Sequence, residues 1–105
     1  MWSVEYLPAA LKEEADLPPD MQARLGRIAE TIRQGGLLHL PHGWVKPLGG
    51  KLWELRITGK DGIARAIYVT ASGQRVVIVR IFVKTTQKTP LRELALARRR
   101  AKEVE

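Results

Sequence analysis

The stretch "KLWELRITGKDGIARAIYVTASGQRVVIVRIFVKT", residues 51–85, decides the fold. In KLWELRIT, Trp53, Leu55 and Ile57 alternate with Glu54, Arg56 and Thr58, which predicts a strand with one apolar and one polar face. GKDG at 59–62 is turn chemistry, ARAIYVT at 64–70 is a second strand and ASG at 71–73 is a second turn. QRVVIVRIFVKT at 74–85 is a long third strand. On it Val77, Val79, Ile81 and Val83 read as core, while Val76, Ile78, Arg80, Phe82 and Lys84 form a face that turns polar toward its end.

Outward from this stretch the period changes. WSVEY at 2–6 predicts a short first strand, and PAALKEEA at 8–15 a short helix with Pro8 in its first turn. Leu17, Pro18 and Pro19 break that helix. Asp20 is placed to cap the next one, Met21, Leu25, Ile28 and Ile32 recur along one face, and Gly35-Gly36 ends it. LGGK at 48–51 reads as a turn entering the sheet. Thr89 as N-cap and Pro90 at the first position open a last helix, with a weak stripe of Leu91, Leu94, Ala97, Ala101 and Val104. A helical hairpin followed by consecutive antiparallel strands predicts one α+β domain over residues 1–105. Its helices cover the apolar sheet face and leave Arg56, Arg80 and Lys84 on the other.

Composition narrows the chemistry. A hydrophobic fraction of 45% in 105 residues suffices for a core without staples. The absence of cysteine excludes disulfides, thiolate catalysis and the usual zinc frameworks, and fits a reducing cytoplasm. Met1, Trp2 and Glu5 do not open a signal peptide. No apolar run approaches the roughly 20 residues of a membrane span. The net charge of +7 is unevenly placed: residues 1–45 carry four Lys or Arg against six acids, and residues 46–105 carry fourteen against five. Such a half points to a polyanionic partner without choosing which. His39 and His42, around Pro41, lack any metal-binding spacing, and no glycine-rich phosphate motif is present. RRRAK at 98–102 reads as a solvated helix face with favourable charge at a helix C-terminus.

The cations of the sheet are less ordinary. Arg56, Arg65, Arg80 and Lys84 outnumber the nearby acids Glu54 and Asp61. Guanidinium forks suit phosphate, and Phe82 among them can stack a base. Lys46 and Lys51 flank LGGK as further phosphate contacts. Strict alternation places Arg65 with Ile67 and Val69, toward the apolar side, so it joins the others only through a bulge or a re-aimed strand end.

The order and spacing of KPLGGKLWELRI, IARAIYV and VVIVRIFVKTTQKTP, after LPAALKEEADLPPDMQARLGRIAETIRQGG, resemble the RelE/ParE superfamily of bacterial toxins in its phage-derived HigB-like branch. The resemblance implies a compact α+β toxin with a curved antiparallel sheet, neutralised by a cognate antitoxin that is often a small helix-turn-helix protein. It implies metal-independent, cofactor-free cleavage of mRNA on the ribosome, in the cytoplasm and away from membranes. By position, Arg56, Arg65 and Lys84 look like the family's catalytic cations; Lys46, Lys51, Arg80, Phe82 and Lys88 are the expected RNA contacts. Thr85 stands where a second lysine is usual, and Ala64 where an aromatic is usual. The chemistry would be attack of a ribose 2′-hydroxyl on the adjacent phosphate, with Arg56 and Arg65 on the developing charge and Lys84 in proton transfer. The base is unassigned, with Tyr68 or a ribosomal group as candidates. Two alternatives share the scaffold: a ParE-like inhibitor of DNA gyrase, and a non-catalytic RNA- or protein-binding domain.

Overall fold

The computed structural model describes residues 1–84 and 88–104. Its elements run β1 (Ser3–Tyr6), α1 (Pro8–Ala15), α2 (Pro19–Gly35), a 3-10 turn (Leu37–His39), β2 (Val45–Gly49), β3 (Leu52–Gly59), β4 (Gly62–Ala71), β5 (Arg75–Lys84) and α3 (Leu91–Ala101). The five strands form one sheet in the order β1-β5-β4-β3-β2. Every pairing is antiparallel except β1 with β5, which is parallel. The α+β class is as the alternation predicts, with one parallel edge that alternation does not reveal. Among the described residues no helix is long and apolar enough to cross a membrane.

Sequence and local structure agree most closely in the helical hairpin. Met21, Leu25, Ile28 and Ile32 of α2 are buried, joined by Ala29. They pack on Leu55 and Ile57 of β3, Ala64, Ala66 and Tyr68 of β4, and Val76, Ile78 and Ile81 of β5. α2 ends where Gly36 takes φ 81° and ψ 177°, a conformation reserved almost wholly for glycine. A Cβ there would also meet the Trp2 indole nitrogen at 2.7 Å. Asp20 does not cap α2. Pro18 is the N-cap residue, and Asp20 accepts the Lys60 N–H at 2.9 Å, tying the β3–β4 turn to the helix.

LGGK does hold a turn entering the sheet, at residues 50 and 51 before β3, and the strand ahead of it, Val45–Gly49, is a sheet edge where Pro47 is tolerated. Three other expectations fail. Trp53 shares the face of Leu55 and Ile57 but stays 38% exposed, because the Leu37–Gly43 segment leaves an open groove beside it. Thr89 does not cap α3: Pro90 holds the N-cap position without a side-chain bond, and the Thr89 hydroxyl donates to Glu54 Oε1 at 2.7 Å. Leu91 also leaves the apolar stripe of α3, at 82% exposed.

The third strand is where simple alternation breaks. Ile67 pairs with Arg80 but Tyr68 pairs with Ile78, so Val79 is an extra, unpaired residue in β5. Such a bulge exchanges the two faces of a strand. Val76 and Ile78 face α2 before it, and Ile81 faces α2 after it. Val77 and Val79 pack instead with Leu52, Ile67, Val69 and Ala97, beneath α3. Val83, read as core, is 44% exposed. Both faces of the sheet are therefore covered, α1 and α2 on one and α3 on the other.

Ion pairs lock the bulge. Arg100 Nη1 donates to the Val79 carbonyl at 2.9 Å, and the Ile81 N–H donates to Glu13 Oε1 at 3.1 Å. Arg80 forks Glu93 at 2.6 and 3.0 Å and also donates to Glu13. Glu13 further accepts from Arg100 at 2.9 Å. Burial pushes the Glu13 carboxyl up, but hydrogen bonds from Arg100, the Ile81 N–H and Arg80 hold it below its ordinary range. One network thus joins α1, β5 and α3. Removing one partner of a pair with little solvent access strands the other's charge. Arg80→Ala is expected to cost about 3 kcal/mol, the low end for breaking a buried pair. Urea unfolding checks the value. Arg80→Met with Glu93→Leu recovers part of the loss, because it removes both charges.

Candidate functional site

Beyond the edge of α3 the same sheet face turns cationic. Cross-strand pairs build it. Lys46 of β2 lies opposite Glu54 of β3, and Arg56 of β3 lies opposite Arg65 of β4, which lies opposite Phe82 of β5. Ile63 pairs with Lys84 at the sheet end. Directly opposed residues share a face, so Arg56, Arg65 and Lys84 converge. Arg65 does keep company with Ile67 and Val69, as alternation requires. That face is nonetheless also the face of Arg56, and the bulge brings Arg80, Phe82 and Lys84 to it.

The cluster is buried to an unusual degree. Arg65 is 4% exposed, Lys84 8% and Glu54 0%. Arg56 is half-buried and Lys46 exposed. Arg65 Nη1 lies 3.3 Å from Glu54 Oε2. Glu54 Oε2 and Arg65 Nε are buried without a hydrogen-bond partner among the described residues. Burial lowers the Arg65 pKa, Glu54 opposes the shift and Arg56 adds to it. Burial also lowers the Lys84 pKa, and so do Arg65, Lys46 and Arg56, with Glu54 again opposing. Four cations surround one carboxylate. Each makes its neighbours costlier to keep charged, and an anion that entered would relieve all of them.

The remaining expected RNA contacts divide. Arg80 has its guanidinium committed to Glu93 and Glu13 and lies 5.6 Å over the Phe82 ring, so its geometry is structural. Phe82 is half-buried and packs at the edge of the α3 core. Lys88 is exposed, next in sequence to the Thr89 that bonds Glu54. Lys51 lies elsewhere. It borders a shallow groove of about 430 Å³ with Arg98 and Lys102, near the C-terminal end of α3. Tyr68 is on the opposite face, in the α2 core, and burial pushes its hydroxyl up to about 12. It is not placed to serve as a base here. Among the described residues no group of three or more His, Asp or Glu is arranged to hold a metal ion.

Sequence reasoning passed over Glu54 and Thr89 as parts of this site. The available signal was Glu54 itself, two residues before Arg56 on the same strand face. Its burial and its bond to Thr89, 35 residues on, are tertiary features that no local pattern encodes.

The model of the family described as Phage derived protein Gp49-like (DUF891) matches residues 12–102. No curated protein matches the sequence. Among solved structures, the isolated E. coli RelE toxin in its P21 form aligns with a TM-score of 0.59 at 14% identity, over 93% of this chain and 98% of that one. The intact E. coli RelBE toxin–antitoxin complex gives a TM-score of 0.56 at 12% identity, over 82% of this chain and 100% of the matched one. At these identities the likeness is one of fold, and it agrees with the resemblance read from the strand motifs. The chain shares the fold of the E. coli RelE toxin and belongs to the phage-derived Gp49-like family.

Proposed function

We propose that this protein is the toxin of a type II toxin–antitoxin pair, and that it cleaves mRNA bound to the ribosome in the cytoplasm. The observation that carries the reading is the convergence of Arg56, Arg65 and Lys84 on one face around a single carboxylate. Family and fold agree with it, since the matched structures are described as a toxin and a toxin–antitoxin complex. The partners in this reading are a small helix-turn-helix antitoxin, the ribosome and mRNA.

The chemistry follows from the charges. The 2′-oxygen attacks phosphorus, the 5′-oxygen leaves, and a cyclic phosphate remains. Negative charge grows on the non-bridging oxygens, where the Arg56 and Arg65 guanidinium groups supply fixed donors. The lowered pKa of Lys84 brings its amine nearer the range in which a proton can be exchanged. Lys46 and Lys88, exposed beside the cluster, are assigned to the flanking backbone. Positioning by the ribosome supplies much of the remaining barrier reduction.

Expression is expected to arrest growth, and Arg65→Ala with Lys84→Ala to relieve the arrest. Mapping mRNA 5′ ends in arrested cells should reveal codon-phased cuts. Intact mRNA with trapped gyrase–DNA breaks would instead establish the ParE-like alternative, and neither effect from a folded protein would leave a binding domain. On programmed ribosomes, Arg56→Ala and Arg65→Ala should each slow single-turnover cleavage by about 10²-fold or more.

The sign of the pH effect is fixed by Lys84. A neutral amine accepts the 2′-hydroxyl proton, and the neutral fraction grows about tenfold per pH unit below the lysine pKa. Cleavage should therefore rise with pH and level off below the ordinary lysine value of 10.5. Lys84→Ala should flatten the rise, and a profile unchanged by that substitution removes Lys84 from proton transfer.

A further inference from the structure

Glu54 is hard to explain as packing. It sits in the middle of β3 with no exposed surface, one oxygen on the Thr89 hydroxyl at 2.7 Å and the other 3.3 Å from Arg65 Nη1. A carboxylate so placed is costly unless its charge is used. With no exposed surface, it is out of reach of a substrate hydroxyl in this structure. Its two contacts point in different directions. One reaches β4 through Arg65, and the other reaches the residue preceding Pro90, the N-cap of α3. Glu54 is therefore the side chain on which the reactive arginine and the start of α3 are both aligned. Arg65 Nε, buried and unbonded, shows that the pairing leaves part of the guanidinium uncommitted.

We propose that Glu54 is the positioning residue of the site: it orients the Arg65 guanidinium by an ion pair and locks that orientation through Thr89. The little of Arg65 that stays exposed is then held for a phosphate oxygen. This rests on the RNA-cleavage reading above only for what Arg65 touches; the alignment itself is a property of the free protein. Among the described residues, the charged groups that bear on the pair are Lys46 on β2, Arg56 on β3 and Lys84 on β5. Among the described residues, Glu54 is the acid that the shifts of Arg65 and Lys84 register.

The test uses the full chain with Glu54→Gln, which keeps the shape, Glu54→Asp, and Thr89→Val, which removes only the lock. Two measurements are made on each: the ¹⁵Nε–¹Hε signal of Arg65 in the free protein, and single-turnover cleavage on programmed ribosomes, scaled to the folded fraction from urea unfolding. Glu54→Gln should broaden or shift the Arg65 signal and lower kcat by roughly 10- to 100-fold, the effect of a misplaced catalytic group. KM should change by less than about twofold, since uniform binding is not what is lost. Glu54→Asp should recover part of the rate, and Thr89→Val should give a smaller loss of the same kind. An unchanged Arg65 signal overturns the proposal whatever the rate does. A changed signal with an unaltered kcat overturns it as well, because the orientation then does not matter. If wild-type protein cleaves nothing, the RNA-cleavage reading falls and with it the catalytic half of the proposal. The Arg65 signal then decides the alignment by itself.

Discussion

One extra residue in β5, Val79, governs where the cations of the sheet point. Without it, Arg80, Phe82 and Lys84 would fall on the face of Val76 and Ile78 and enter the core beneath α2. With it, they share a face with Arg56 and Arg65. Beside the bulge, the Val79 carbonyl and the Ile81 N–H take Arg100 and Glu13 as partners. Glu13 also binds Arg80, which forks Glu93 on α3. The carboxylate that bonds the backbone at the bulge thus also anchors α3, and Thr89, just ahead of α3, bonds Glu54.

The cations fall into two groups with opposite electrostatics. Arg80 and Arg100 face Glu13 and Glu93, so their charges are matched and their role is to hold elements together. Arg56, Arg65, Lys84 and Lys46 instead lie around Glu54, where cations repel one another. The lowered pKa values of Arg65 and Lys84 express this as a cost of keeping charge where solvent cannot screen it. A phosphate there has little ground-state competition from water, and preorganised donors act without rearranging. A mostly apolar groove of about 610 Å³ lies on the other side of the sheet near Trp53 and Leu38, away from these cations.

Much of this was legible in the sequence. The α2 stripe, both hairpin turns and the three long strands follow from period and turn chemistry, because each depends on neighbours in the chain. β2 was hidden by Pro47, and the parallel β1–β5 edge by a separation of some 70 residues. The face of Arg65 was read correctly but misjudged as apolar, since alternation says which residues share a side and not what covers it. Arg80 and Lys84 stand alike in the sequence, four residues apart, yet one is paired with acids from α1 and α3 while the other lies among cations. That difference is tertiary. Spacing cannot supply it.

Glu54 shows how burial changes the meaning of a familiar pattern. An acid two residues from an arginine on a strand face suggests a surface ion pair of small worth. At no exposure, with Thr89 on one oxygen and Arg65 beside the other, it becomes the element that lets a guanidinium stay charged inside the fold. With no acid there, the buried Arg65 would face Arg56 and Lys84 with no counter-charge. A second acid would cut the surplus positive charge and weaken the pull on a phosphate. One carboxylate keeps Arg65 in place and still leaves the site positive, which is the condition that catalysis by fixed cations requires.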